Sequence, residues 1–148
     1  MGDVHVRLAA PGDFEAWLPL WRGYQTFYEV DLADDVTHET WRRFHDPREP
    51  MHAAVAELAG RIVGIVHHIQ HRSCWTTGDY MYLQDLFTDA AVRGRGVGRA
   101  LIEHVYAEAR RRGCSRVHWL THETNATAMR LYDQVATRSG FVQYRKLL

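Results

Sequence analysis

Val92-Arg93-Gly94-Arg95-Gly96-Val97-Gly98-Arg99-Ala100 lies between an apolar, strand-like run and an amphipathic helical stretch, and its reading decides the fold. Three glycines let the backbone approach a ligand and turn several amide N–H groups toward it, and the helix that follows adds the positive end of its dipole. This is a phosphate-holding geometry, and counting narrows which phosphate. A dinucleotide fingerprint starting at Gly94 and Gly96 requires glycine at position 99, where the chain has Arg99. A P-loop requires a later glycine followed by Lys and Ser/Thr, and neither Gly94 nor Gly96 has that continuation. What remains is Arg93-x-x-Gly96-x-Gly98, which lacks the lysine and hydroxyl that handle a reactive γ-phosphate and its magnesium. Such a turn suits a phosphate that is held rather than transferred. The bland alternative is a glycine-rich strand-to-helix connection with no ligand.

The chain of 148 residues is of a size for one domain, 1–148, with a single core. No run of about 20 apolar residues is present, so a membrane partner is not expected. The start, Met1-Gly2-Asp3-Val4-His5-Val6, lacks a secretory pattern, and Val6 stands where myristoylation of Gly2 requires Ser or Thr; a cytoplasmic location is expected. Eighteen basic and 18 acidic residues cancel, so a nucleic-acid partner would need a local basic face. Arg93, Arg95 and Arg99 are read instead as phosphate ligands, and Arg110 to Arg112 as a solvated helix end. Cys74 and Cys114 are too few for a disulfide framework and lack metal spacing. In His67-His68-x-x-His71, His67 and His71 would share a strand face at roughly 13 Å, too far for a common ion, so no metal is expected.

Along the chain, Val4–Ala9 alternates as a strand, and Phe14, Trp17, Leu18, Trp21, Tyr24 and Tyr28 recur at helical spacing. Pro19 is expected to kink or split that helix. Thr37 is a weak cap for a short helix from His38 through Phe44. Met51–Ala59 and Arg61–Gln70 read as a hairpin turning at Gly60, and Gly78–Thr88 as the next strand. Gly98–Arg112 is a helix with Leu101, Ile102, Val105, Tyr106 and Ala109 on one face and Gly113 as its stop. Ser115–Thr121 reads as a strand, Asn125 to about Val135 as a helix, and Phe141–Tyr144 as a closing strand. Strands alternating with single helices after an antiparallel meander give a mixed α/β sheet.

Arg93, Gly96 and Gly98 fit the Arg/Gln-x-x-Gly-x-Gly/Ala signature of the GNAT superfamily of N-acetyltransferases. Tyr82-Leu83-Gln84-Asp85-Leu86-Phe87-Thr88 resembles that family's fourth strand, and Asn125-Ala126-Thr127-Ala128-Met129-Arg130-Leu131-Tyr132 its later motif. The resemblance runs from about Val4 to Tyr144 and is strongest from Tyr82 to Tyr132. Partly through Trp21 to Glu29, it points to the small polyamine, histone-tail and D-amino-acid acetyltransferase branch. It implies an α/β fold with a mixed, mostly antiparallel central sheet whose fourth and fifth strands splay apart, flanked by helices. It implies acetyl-CoA as acetyl donor, a small-molecule or lysine amine as acceptor, and a homodimer. The cofactor-binding residues it implies are Leu86, Phe87, Thr88, Arg93, Gly94, Arg95, Gly96, Val97, Gly98, Arg99, Asn125 and Tyr132.

Acetyl transfer from a thioester to an amine needs a polarised carbonyl, a neutral amine and a stabilised thiolate. The resemblance assigns the first to backbone N–H groups around Leu86 to Thr88, and protonation of the sulfur to Tyr132. A phenol of ordinary pKa near 10 stays protonated at neutral pH and can donate. The base is where the chain departs from the pattern, because Gln84 stands where the branch often has glutamate, and a neutral amide takes no proton. Strand alternation turns Asp85 to the opposite face. His122 is the first substitute, with Glu29 and Glu123 behind it, and loss of the amine's proton to bulk water before binding is a further route. Tyr28 and Glu29 are the candidate substrate residues, and Glu29, Asp31, Asp34 and Asp35 either attract a cationic amine or form a solvated loop. The competing reading is a CoA-binding regulatory module that has lost efficient chemistry.

Overall fold

The computed structural model describes residues 3–148, so the reading of Met1 and Gly2 lies outside the described residues. In chain order the elements are β1 (His5–Leu8), α1 (Phe14–Phe27), α2 (Asp34–Phe44), β2 (Met51–Leu58), β3 (Arg61–Arg72), β4 (Asp79–Thr88), α3 (Val97–Arg111), β5 (Val117–His118) and α4 (Ala126–Val135). The sheet runs β1-β2-β3-β4-β5, antiparallel throughout except for the parallel β4–β5 pair. This is the mixed α/β sheet that the strand and helix pattern predicts.

The β2–β3 turn consists of Ala59 and Gly60, both at positive φ (52° and 77°). That is the primed-turn geometry whose twist matches the strands it joins. Two apolar layers cover the sheet. Val97, Leu101, Ile102, Val105 and Ala109 of α3 pack on Ala54, Val66, Met81 and Leu83, while Trp17, Leu20 and Trp21 of α1 pack on Val55 and Ile65 of the other face. The α3 face is the one its periodicity predicts, and Gly113 closes the helix at φ 74°.

Four expectations are corrected. The first concerns α1, which Pro19 does not split: it runs as one helix from Phe14 to Phe27. Losing one backbone bond there costs about 3 kcal/mol. Burying Trp17, Leu20 and Trp21 outweighs it at about 1.5–3 kcal/mol per large apolar side chain. Second, α2 begins at Asp34 rather than His38. Its first backbone bond runs from Thr37 N–H to Ala33 O, and Thr37 is a buried helical residue rather than a cap. Asp34 and Asp35 in the first turn and Arg42 and Arg43 in the last complement the helix dipole.

Third, the strand expected over Ser115–Thr121 pairs only at Val117 and His118, against Met81 and Tyr82 of β4. Beyond Tyr82 that edge of β4 has no strand partner among the described residues, so β4 and β5 splay as expected. Fourth, Phe141–Tyr144 forms no strand: Phe141, Val142 and Tyr144 are exposed, and nothing among the described residues pairs with them. None of the described helices is long and apolar enough to cross a membrane.

Candidate active site

The glycine turn has the conformation its composition demands. Gly94 and Gly96 both sit at φ 82°, a left-handed backbone that glycine adopts without the usual steric cost. A Cβ on either would meet nothing within 4 Å among the described residues, so the left-handed backbone rather than crowding is what calls for glycine there. The first backbone bond of α3 runs from Ala100 N–H to Gly96 O. Val97, Gly98 and Arg99 therefore carry the N–H groups that a helix start leaves without intrahelical acceptors. Gly64 of β3 lets the helix start sit flush on the sheet, since a Cβ there would fall 2.7 Å from Val97 Cγ1. Gly98 brings α4 alongside, its missing Cβ 3.3 Å from Leu131 Cδ2.

The predicted arginines differ in their engagement. Arg93 lies over the Phe87 ring at 5.6 Å and donates from Nε to Thr88 O at 3.3 Å. Arg99 donates to Gln134 of α4. Arg95 is exposed and makes no side-chain bond among the described residues. Leu86, Phe87 and Thr88 occupy the end of β4 whose outer edge β5 leaves open.

Tyr132 and Asn125 bring α4 to the same gap. Asn125 stands at the helix start, its Nδ2 reaching Thr121 Oγ1 at 3.5 Å. Tyr132 is half-buried with its ring edge-on to Trp119 at 5.4 Å. Burial, helped by the neighbouring phenol of Tyr28, pushes the Tyr132 hydroxyl up to about 12. Tyr28 directly follows α1, its ring tilted at 48° to that of Tyr24 at 4.7 Å, and its phenol is near enough to act on the Tyr132 hydroxyl.

The largest departure from the sequence reading is in β4. His67 of β3 pairs with Asp85, but the next residue, His68, pairs with Leu83, which leaves Gln84 as an extra residue in a one-residue bulge. The bulge resets the alternation. Met81, Leu83 and Leu86 pack toward α3, whereas Phe87 packs toward α1 and Asp85 meets His67 within the α1 layer. The expectation that alternation turns Asp85 to the face opposite Gln84 is therefore corrected. Asp85 and Gln84 both line a cavity of about 210 Å³ between α1, α2 and the sheet, walled by Trp21, Leu32, Val36, Phe44, Met51 and Ile69.

Asp85 is buried and heavily partnered. Trp17 Nε1–H donates to His67 Nε2 at 2.9 Å, and His67 Nδ1 lies 2.9 Å from Asp85 Oδ2. An indole nitrogen can only donate, so Nε2 accepts and the imidazole proton stands on Nδ1, pointing at the carboxylate. Burial, with the charge of Asp85 second, raises the phenols of Tyr24, Tyr28 and Tyr82.

The other base candidates lie elsewhere. His122 is exposed, and its Nδ1 accepts from Thr124 N–H at 3.2 Å within the turn before α4. Glu29 and Glu123 are exposed, Glu29 at φ 57° just past α1. Asp31 and Asp34 line a separate depression with Arg22, Gln25 and Thr26. Sequence reading missed Trp17, His67 and Asp85 as a unit. The aromatic periodicity of α1 marks Trp17 as core, and only the inter-strand register reveals its polar partner.

Comparison with known proteins agrees with this geometry. The acetyltransferase (GNAT) family model matches residues 14–136. The D-amino-acid N-acetyltransferase HPA3 of Saccharomyces cerevisiae is 35% identical over 97% of this chain and 90% of its own. The thialysine N-epsilon-acetyltransferase of Bos taurus is 28% identical over 93% and 86%. The structure of AAC(6')-Iy in complex with the bisubstrate analog CoA-S-monomethyl-acetylneamine superposes with a TM-score of 0.84 at 17% identity, covering 99% of each chain. The glycine turn, the splayed strands and these matches together show that the chain belongs to the GNAT acetyltransferase family and is an N-acetyltransferase.

Proposed function

We propose that this chain, as one acetyltransferase domain, transfers an acetyl group from acetyl-CoA directly to a primary amine of a small molecule or lysine side chain within a ternary complex. The observation that carries the reading is the convergence of three features on one gap: the left-handed glycine turn, the unpaired edge of β4 and the half-buried phenol of Tyr132. Acetyl-CoA supplies the activated acyl group as a thioester.

The N–H groups of Gly94 to Arg99, with Arg95, hold the pyrophosphate at the positive end of α3. Asn125, at the start of α4, contributes to cofactor binding, and Val97 anchors the turn in the core. Backbone N–H groups of Leu86 to Thr88 bind the pantetheine arm and polarise the acyl carbonyl. Tyr132 gives its proton to the departing sulfur; a phenol titrating near 12 is fully protonated at neutral pH. Tyr28 and Glu29, just past the end of α1, contribute to the acceptor entrance.

A homodimer completes the reading, supported by the exposed apolar side chains of Phe141, Val142, Tyr144 and Leu147, which a second copy would cover. The test is release of free CoA from acetyl-CoA by purified protein across a panel of amines, with sedimentation for the dimer. Turnover that depends on an amine supports the proposal, and none above buffer with any amine rejects it.

A further inference from the structure

We infer that Asp85 is the group that takes the acceptor amine's proton, and that the Trp17–His67 pair is a built-in device that fixes its carboxylate. This deepens the proposed function and rests on it.

The bulge at Gln84 turns Asp85 into the cavity under α1 and α2, where it is the only carboxylate in the lining, and no lysine or arginine lines that cavity. The chain thus has its acid one residue beyond Gln84, moved to the acceptor face by backbone geometry rather than by residue type. The walls are mostly apolar, so the occupant expected is a primary amine carried on a compact apolar body, with its ammonium against Asp85. Trp21 supplies a second pointer to a ligand. It is buried in the same wall, and its indole N–H has no acceptor among the described residues. Native structures rarely leave such a donor unpaired without a role for it.

His67 acts through Asp85. Its Nε2 is occupied by the Trp17 N–H and its Nδ1 proton points at the carboxylate, so it orients Asp85 and has no free nitrogen to accept the substrate's proton. It is therefore a positioning residue. The titratable groups facing Asp85 are His67 from β3, Tyr24 and Tyr28 from α1 and Tyr82 from β4. None of these is a cation that would neutralise it in place of the substrate.

In the step, an ammonium gives one proton to the Asp85 carboxylate and the freed nitrogen lone pair bonds to the acyl carbon. As the carbon–sulfur bond breaks, Tyr132 protonates the thiolate. The nitrogen sheds its second proton, which restores the Tyr132 phenol through solvent, and Asp85 releases the first to solvent. The balance is an ammonium plus acetyl-CoA giving an amide, CoA and one proton.

The test compares the parent with Asp85→Asn on two amines of similar size, strongly basic butylamine and weakly basic trifluoroethylamine, each across pH 6 to 10. A basic amine needs the base, so Asp85→Asn should lower kcat on butylamine about 100-fold or more at pH 7. That deficit should shrink as pH rises and solvent removes the proton, and should nearly vanish on trifluoroethylamine. CoA affinity, measured by calorimetry, should not change. His67→Gln, which keeps a donor for Asp85 and an acceptor for Trp17, should retain more kcat on butylamine than His67→Leu. As a readout free of turnover, imidazole nitrogen NMR of the parent should show the His67 proton on Nδ1. Equal deficits on both amines, or an unimpaired Asp85→Asn, overturn the base role while leaving the acetyltransferase reading intact. A proton on Nε2 overturns the positioning role. A parent that acetylates no amine rejects the broader reading instead.

Discussion

Gly23 of α1 lies against the ring of Phe87 of β4 so closely that a Cβ would stand 2.9 Å from ring carbons Cε2 and Cζ. Phe87 in turn carries Arg93 over its face at 5.6 Å, so the glycine sets how near the aromatic helix comes to the strand that feeds the cofactor turn. Gly23→Ala gains about 1 kcal/mol of helix propensity. The clash costs about 1–3 kcal/mol, because Phe87 is packed against α1 and cannot swing clear. The expected outcome is a net loss of about 1 kcal/mol in urea unfolding, relieved when Phe87→Leu is added. A stabilised Gly23→Ala would show that the contact has slack.

Gly96→Ala should weaken acetyl-CoA binding more than it weakens the fold. At φ 82° an alanine costs about 1–2 kcal/mol, and relief of that strain moves the amides that hold the pyrophosphate. We expect a rise in acetyl-CoA KM of about tenfold or more with kcat little changed, checked by initial rates and calorimetry. Gly12→Ala, where φ is not positive and a Cβ meets nothing within 4 Å, should leave both unaltered.

Tyr132→Phe should lower kcat by about 10²-fold or more with CoA affinity unchanged, as expected for a lost general acid. The pH profile adds a sign. With the phenol pushed up to about 12 by burial, Tyr132 keeps its proton through the alkaline range, so kcat should show no alkaline fall from this group up to pH 10. A decline centred near pH 10 would indicate a Tyr132 titrating as an ordinary phenol.

Acid should weaken the fold from a region outside the site. His68 is fully buried beside Met81, His52 and His104, and burial lowers His68 to about 3, His52 to about 4, and His104 as well. Each is depressed below its unfolded value near 6.5, so above that pH both states are neutral and nothing is lost. As pH falls from 6.5 toward 4 the unfolded chain takes up protons that the folded chain refuses, and stability declines. His68 Nε2 has no hydrogen-bond partner among the described residues, so His68→Leu should preserve volume, remove an orphaned polar atom and shift the acid-unfolding midpoint to lower pH. An unshifted midpoint would place the acid sensitivity elsewhere.

What was legible in the sequence was local. The turn from Arg93 to Gly98, the α3 face, the Gly60 turn and the Gly113 stop each depend on neighbours within a few positions, and each stands where its pattern predicts. The bulge at Gln84 depends on which residues of β3 lie opposite β4, a register that no spacing within β4 announces. The error on Asp85 follows, because strict alternation is the right rule for a strand without a bulge. Pro19 does not split α1 for the converse reason: burial of Trp17 and Trp21 against distant strands outweighs the local loss of one backbone bond. Phe141–Tyr144 alternates like a strand, but a strand also needs an edge to pair with.

The central claim, acetyl transfer from acetyl-CoA straight to an amine, is tested most directly by initial rates at varied acetyl-CoA and varied amine, with the product weighed by mass spectrometry. The account predicts an N-acetylated amine formed in step with free CoA, and double-reciprocal lines that intersect. Parallel lines, or CoA released without an acetylated amine, would contradict it.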